Sequence, residues 1–160
     1  MQAQNFIGGN LVLGKAGLTG LSGAATTYTL GTAIAYALYG KLYSKSTAAG
    51  AATPTTDAVT GAAITVKPGY GTNVLWCLDS AGNVKVVQGS TELLDASGTF
   101  QFAAPQFANL PDTLVPFAYA VIKNVSTGTL FTFGTSNWNQ AGITVTASDI
   151  MAVPNRPQAS

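Results

Sequence analysis

The chain has no histidine, one cysteine and one glutamate in 160 residues. Histidine is the side chain that ordinarily changes charge near neutral pH, so histidine triads, dyads and imidazole metal sites are excluded. One cysteine, Cys77, cannot close an internal disulfide or supply a zinc ligand set. Charge is scarce as well. Seven Lys and Arg against six Asp and Glu make 8% of the chain, with a net charge of +1; an average domain carries about 25%. The basic residues are scattered, which argues against a nucleic-acid footprint. Long apolar runs are missing too. Ala16 to Gly40 is uncharged for 25 residues but holds five Gly and five Thr, so no membrane span is expected. Met1-Gln2-Ala3-Gln4 is uncharged and the first lysine is Lys15. The basic start of an export signal is therefore not seen, and none is needed if the product assembles in the cytoplasm where it is made.

What is present is small. Ala, Gly, Thr and Ser supply 74 of the 160 positions, and 25 of the apolar residues are Ala. The large apolar residues suffice for one compact core. With so few charges, the surface must be covered by Thr, Ser, Asn and Gly, or by other proteins. A permanent oligomer or assembly component is the expectation.

The pattern divides the chain into an N-terminal arm (1–23), a body (24–153) and a C-terminal tail (154–160). The arm mixes Phe6, Ile7, Leu11, Val12 and Leu13 with six glycines. Glycine at this density makes a helix costly, yet the segment is too apolar for a solvated linker. It reads as an extended segment, either docked on a neighbouring subunit or packed as a strand on its own domain. From Tyr28 to Leu42 the even positions Tyr28, Leu30, Ile34, Tyr36, Leu38 and Leu42 are large and apolar, which is the period of a strand. Ile34, Leu38 and Leu42 also fit a helix over 33–45, but the aromatics and flanking glycines favour strands. Residues 46–61 read as a long exposed loop, and Ala62 to Lys67 as a short strand.

The clearest unit is Asn73 to Asp79, the turn Ser80-Ala81-Gly82-Asn83, and Val84 to Gln88: a hairpin. The stretch from Phe100 to Pro111 is expected to be irregular. Pro116 to Lys123 reads as a buried strand, Asn124 to Gly128 as a turn, Thr129 to Gly134 as the return strand, and Ile143 to Thr146 as a further strand. Short strands with Gly-rich turns predict a mainly β, single antiparallel β-sandwich or barrel-like domain with an extended N-terminal arm and a short C-terminal tail.

Candidate chemistry is thin. Cys77 lies in Val74-Leu75-Trp76-Cys77-Leu78 and reads as a buried small hydrophobe. Paired carboxylates are the remaining hydrolytic option, with Asp79, Glu92 and Asp95 nearest in sequence; turn-capping explains them better. Asp79-Ser80-Ala81-Gly82-Asn83 is a faint echo of a calcium loop, and a plain turn accounts for it. Gly14-Lys15-Ala16 lacks the hydroxyl that follows the lysine of a phosphate loop. Asn124-Val125-Ser126 matches a glycosylation sequon and is given no weight. No catalytic, cofactor or metal residues are assigned. Phe131, Phe133, Asn137, Trp138 and Asn139 form either a carbohydrate platform or a core, the core being the more common use of such aromatics.

Several stretches together resemble small head-decoration (cement) virion proteins of tailed bacteriophages. They are Asn5 to Lys15, Tyr39-Gly40-Lys41-Leu42-Tyr43-Ser44-Lys45, Leu78-Asp79-Ser80-Ala81-Gly82-Asn83-Val84, Phe133-Gly134-Thr135-Ser136-Asn137-Trp138-Asn139, and Met151-Ala152-Val153-Pro154-Asn155-Arg156-Pro157. The resemblance implies a non-enzymatic protein on the capsid exterior, bound to the major capsid protein, usually as a trimer at local threefold positions. It implies no cofactor, no nucleic acid and no membrane. The docking residues expected on this reading are Phe6, Ile7, Leu11, Val12 and Leu13. The alternative is a head or tail fibre component that binds host glycans through Trp138, Asn137 and Asn139.

Overall fold

The computed structural model of the chain describes residues 10–151. Phe6 and Ile7 of the expected arm, and the 154–160 tail, lie outside the described residues. Twelve strands follow in order among those residues: β1 (Leu11–Val12), β2 (Leu18–Thr19), β3 (Thr27–Leu30), β4 (Ile34–Leu38), β5 (Lys41–Lys45), β6 (Ala48–Ala52), β7 (Thr65–Val66), β8 (Tyr70–Leu78), β9 (Val84–Leu93), β10 (Val115–Asn124), β11 (Phe131–Thr132) and β12 (Ile143–Asp149). They form sheets ordered β12-β10-β8-β9, β1-β4-β5, β2-β3-β6 and β11-β7. The molecule is mainly β, its sheets are antiparallel, and none closes into a barrel among the described residues. The helix reading of 33–45 gives way to β4 and β5.

The four-stranded sheet carries the framework. β8 is buried at every position after Tyr70, and β10 at all positions but Lys123. Such continuous burial requires cover on both faces. On one face Val74, Trp76, Leu78, Ala120 and Ile122 join the main core; on the other Leu75, Cys77, Val87, Tyr119 and Val121 form a second cluster with Phe100, Phe107 and Leu110. Pro116 cannot donate to a ladder. The register with β8 shifts between Pro116 and Ala118, and this bulge puts the consecutive Phe117 and Ala118 in the same core.

Asp79 holds the β8–β9 turn. Its Oδ1 accepts the amides of Ala81 and Asn83, both at 2.9 Å. The irregular stretch expected from Phe100 to Pro111 is present, runs on to 114, and is the cover of the second cluster.

Three expectations change. Residues 10–23 are not a detached arm: Val12, Ala16, Leu18 and Leu21 are in the main core, because β1 pairs with β4 and β2 with β3. The exposed loop over 46–61 contains β6, paired with β3, and a buried Asp57. The return strand over 129–134 is only β11, which pairs with β7; β12 takes the place beside β10. Of the two readings of the Phe131, Phe133 and Trp138 cluster, the core is the one found.

Asp57 explains why its segment is fixed. Its Oδ1 accepts from Val59 and Thr60, both at 2.8 Å, and its Oδ2 from Gln88 at 2.7 Å. Burial pushes its pKa up, but the amides of Gln88, Thr60 and Val59 more than offset this, and the carboxyl is held below 3.8.

Candidate functional site

A strand with alternating burial has one face for the core and one face left over. In β4 the inward residues are Ile34, Tyr36 and Leu38, and the half-buried outward residues are Ala35 and Ala37. β4 turns into β5 through Tyr39-Gly40, with φ of 52° and 71°. Two positive φ values make the mirror-image turn whose twist suits a tight hairpin. Leu38 therefore faces Lys41, Tyr36 faces Tyr43, and Ala37 faces Leu42. A two-residue turn changes the parity. Even positions point inward on β4 and outward on β5.

The same register continues into β1. Val12 faces Tyr36 and Leu11 faces Ala37, while the Leu13 amide donates to the Ala35 carbonyl at 2.9 Å. One cross-strand row on the outer face is therefore Leu11, Ala37 and Leu42, and Leu13 and Ala35 begin the next. Leu13 is 53% exposed and Leu42 is 65% exposed; Tyr39, at the hairpin tip, is 63% exposed. On the outer side Leu11, Ala35 and Ala37 are half-buried, Ser44 lies opposite Ala35, and Leu13 and Leu42 are the exposed apolar residues. Exposed apolar residues that cluster in this way mark interaction sites.

Asn10 fixes the end of this sheet. Its Oδ1 accepts the Tyr39 amide at 3.1 Å, and its Nδ2 donates to the Asp112 carbonyl at 2.6 Å. A cleft of about 250 Å³ opens beside it, lined by Asn10, Leu110, Pro111, Asp112, Leu114, Pro116 and Met151.

Of the expected docking residues, Leu11 and Leu13 lie on this outer face. Val12 does not: it is 0% exposed, because alternation along β1 turns it toward Tyr36. Sequence reasoning missed Leu42 by extending the inward even-numbered stripe past the turn. The signal that finds it is Tyr39-Gly40 read as a two-residue hairpin loop.

The glycan surface does not assemble. Trp138 is 2% exposed, its Nε1 donates to the Thr27 carbonyl at 2.9 Å, and its ring meets Phe133 edge-on at 5.2 Å. Asn137 and Asn139 are exposed, but they flank a buried ring and present no aromatic face. A large ring with one polar atom is most stable inside once that atom is bonded.

The carboxylate pair does not assemble either. Leu78 faces Val84 at one end of the β8–β9 hairpin, and Gly71 faces Glu92 near the other. At ~3.3 Å per residue, Asp79 and Glu92 are roughly 26 Å apart, well beyond the about 5–10 Å of carboxylate pairs that cleave glycosides. Cys77 is fully buried, and burial pushes its thiol far up. Asn124 of the sequon is buried, with Nδ2 donating to the carbonyls of Val66 at 2.9 Å and Thr129 at 2.8 Å. No group of three or more potential metal-ligating His, Cys, Asp or Glu occurs among the described residues, and no helix there is long and apolar enough to cross a membrane. No protein-family model, curated protein or solved structure matches this chain.

Proposed function

We propose that this chain is a non-enzymatic virion structural protein, a decoration (cement) protein that binds the major capsid protein on the exterior of a phage head. The reading takes the body as a β-sandwich and the assembled form as a homo-oligomer, with a trimer favoured. The observation that carries it is the outer face of β1-β4-β5. Leu11, Leu13 and Leu42 are gathered there by register, and Leu13 and Leu42 are exposed. A chain with so few charges and an apolar sheet face is suited to life against another protein. Repetition of one modest contact over a shell multiplies its strength through avidity.

The test is cosedimentation of the purified protein with empty expanded heads, alongside light scattering of the free protein. Saturable binding at a fixed ratio to the shell subunit is expected. The double substitution Leu13→Ser with Leu42→Ser should abolish that binding while leaving the circular dichroism spectrum unchanged. Undiminished binding by this variant would remove the face from the proposal. Absence of binding by the native chain would remove the capsid.

A further inference from the structure

A strand left bare at the edge of a sheet recruits another strand, and proteins guard such edges. Most edges here are guarded. The strands β1, β2, β7 and β11 offer two residues each. β5 carries Lys41 and Lys45. β6 slips in its register with β3 between Ala48 and Ala51, around Gly50 at a φ of 61°. The edge of β9 is occupied: its Val86 carbonyl accepts from Ala58 at 2.8 Å, its Gln88 amide donates to Asp57, and its Ser90 amide donates to the Gln106 carbonyl. Short length, lysine, a bulge and a covering segment are the usual devices.

β12 has none of these among the described residues. It forms the other edge of the four-stranded sheet and runs for seven residues. No charged residue lies between Lys123 and Asp149. The Val125 amide donates to the Gly142 carbonyl at 2.8 Å, and the Ile150 amide to the Phe117 carbonyl at 2.9 Å. Bonded pairs alternate along an antiparallel ladder, so Thr144, Thr146 and Ser148 turn their peptide groups to β10. The amides and carbonyls of Val145 and Ala147 point the other way and have no partner among the described residues. The Ile143 carbonyl points outward with them, while its amide donates to the Gln140 carbonyl at 3.0 Å. Thr144 and Thr146 are exposed on one face of β12; Ile143, Val145 and Ala147 are only half-buried against the main core on the other.

We infer that β12 pairs antiparallel with β12 of a second copy of the chain, joining two four-stranded sheets into one of eight strands. This goes beyond the capsid-docking reading and does not depend on it. With Val145 opposite its own copy, each Val145 amide meets the other Val145 carbonyl, and each Ala147 amide meets the Ile143 carbonyl of the second copy. No amide from 143 to 147 is then left over. Residues opposite each other share a face. Ile143 meets Ala147, so the apolar row continues across the junction, and Thr144 meets Thr146 on the hydroxyl face. A second copy supplies this match by symmetry. The uncharged run brings no like charges together and gives a charged partner nothing to pair with. Asp149 lies beyond the run, held by the amides of Gly17 and Leu18. The contact is twofold and leaves any threefold contact to other surfaces, so the free chain is expected as a dimer, or as a hexamer where trimers form.

The experiment is sedimentation equilibrium of the full chain over roughly 1–100 μM, the range of a modest interface. Thr144→Lys with Thr146→Lys sets like charges opposite each other and should weaken the contact at least about tenfold. A dimer then becomes a monomer, or a hexamer a trimer, with an unchanged circular dichroism spectrum. Thr91→Lys, exposed on the occupied strand β9, should stay within about twofold, being remote from the contact. Mixing the double lysine variant with Thr144→Glu plus Thr146→Glu should restore a mixed pair. In hydrogen exchange, the Val145 and Ala147 amides should be protected in the native chain and lose protection in the lysine variant. A native monomer or trimer at the top of the range, or an oligomer indifferent to both double variants, overturns the inference. Protected Val145 and Ala147 amides in a monomer overturn it too, since another part of the same chain would then cover the edge.

Discussion

In the four-stranded sheet, β8 and β10 are buried on both faces; in the three-stranded sheet, β4 is buried on one. Both regions are made of the same small and apolar residues, and both alternate at period two. What separates them is cover. The second face of β8-β10 lies under the 100–114 segment, which contributes Phe100, Phe107 and Leu110. That segment is tied down by polar bonds: Asn73 Nδ2 donates to the Pro105 carbonyl at 2.8 Å, and the Ser90 amide donates to the Gln106 carbonyl at 2.9 Å. No second buried cluster forms on the outer side of β1-β4-β5 among the described residues, where Leu13 and Leu42 stay exposed. An irregular segment thus decides which apolar face becomes core and which is left for a partner.

The comparison can be broken at its buried side first. Trp138→Ala should cost about 3–5 kcal/mol in urea unfolding, as a large ring leaves a cavity beside Phe131 and Phe133; a loss under ~1 kcal/mol would mean that the ring is not core. Next is the seat of the covering segment. A Cβ on Gly89 would overlap both Asn73 Oδ1 and the Gln106 carbonyl. Gly89→Ala should therefore lift that segment, cost about 2–3 kcal/mol and raise binding of a hydrophobic dye. Unchanged dye binding would count against the cover.

Asp57→Ala should cost about 2 kcal/mol at neutral pH by stranding three amides. Since the folded pKa of Asp57 lies below 3.8, its contribution is full above that unfolded value and disappears as pH falls through the folded one. The stability gap between native and variant should therefore narrow below about pH 4. A pH-independent gap would assign the loss to packing instead. On the open side Leu42→Ser should change stability by less than about 0.5 kcal/mol, as expected of an exposed position. A large loss would show that this face is covered after all. The smallest effect has the opposite sign. Tyr39 holds a φ of 52°, and Tyr39→Asn should stabilise the hairpin by roughly 0.5 kcal/mol, read as a small rise in thermal midpoint.

Much of this was legible. The large even-numbered residues Tyr28, Leu30, Ile34, Tyr36 and Leu38 point inward as their alternation predicts, and the hairpin of β8 and β9 lies where the turn residues put it, only longer. The irregular stretch before Pro111 and the burial of Cys77 were likewise readable from proline content and apolar surroundings. The candidate face was legible only in part: Leu11 and Leu13 were named, but as members of an arm together with Val12, and Leu42 was assigned to the wrong side.

The sequence by itself determined that the chain is built of strands, where most of them lie, and that it has one hydrophobic inventory and almost no titratable chemistry. These are local properties, fixed by residue period, turn residues and composition. Tertiary structure alone decided that β12 rather than β11 lies beside β10, that Asp57 faces inward, and that Leu13 and Leu42 stay exposed on the outer face of β1-β4-β5. A strand's alternation specifies that it has two faces. Which face is covered depends on segments distant in the chain, whose approach leaves no local mark.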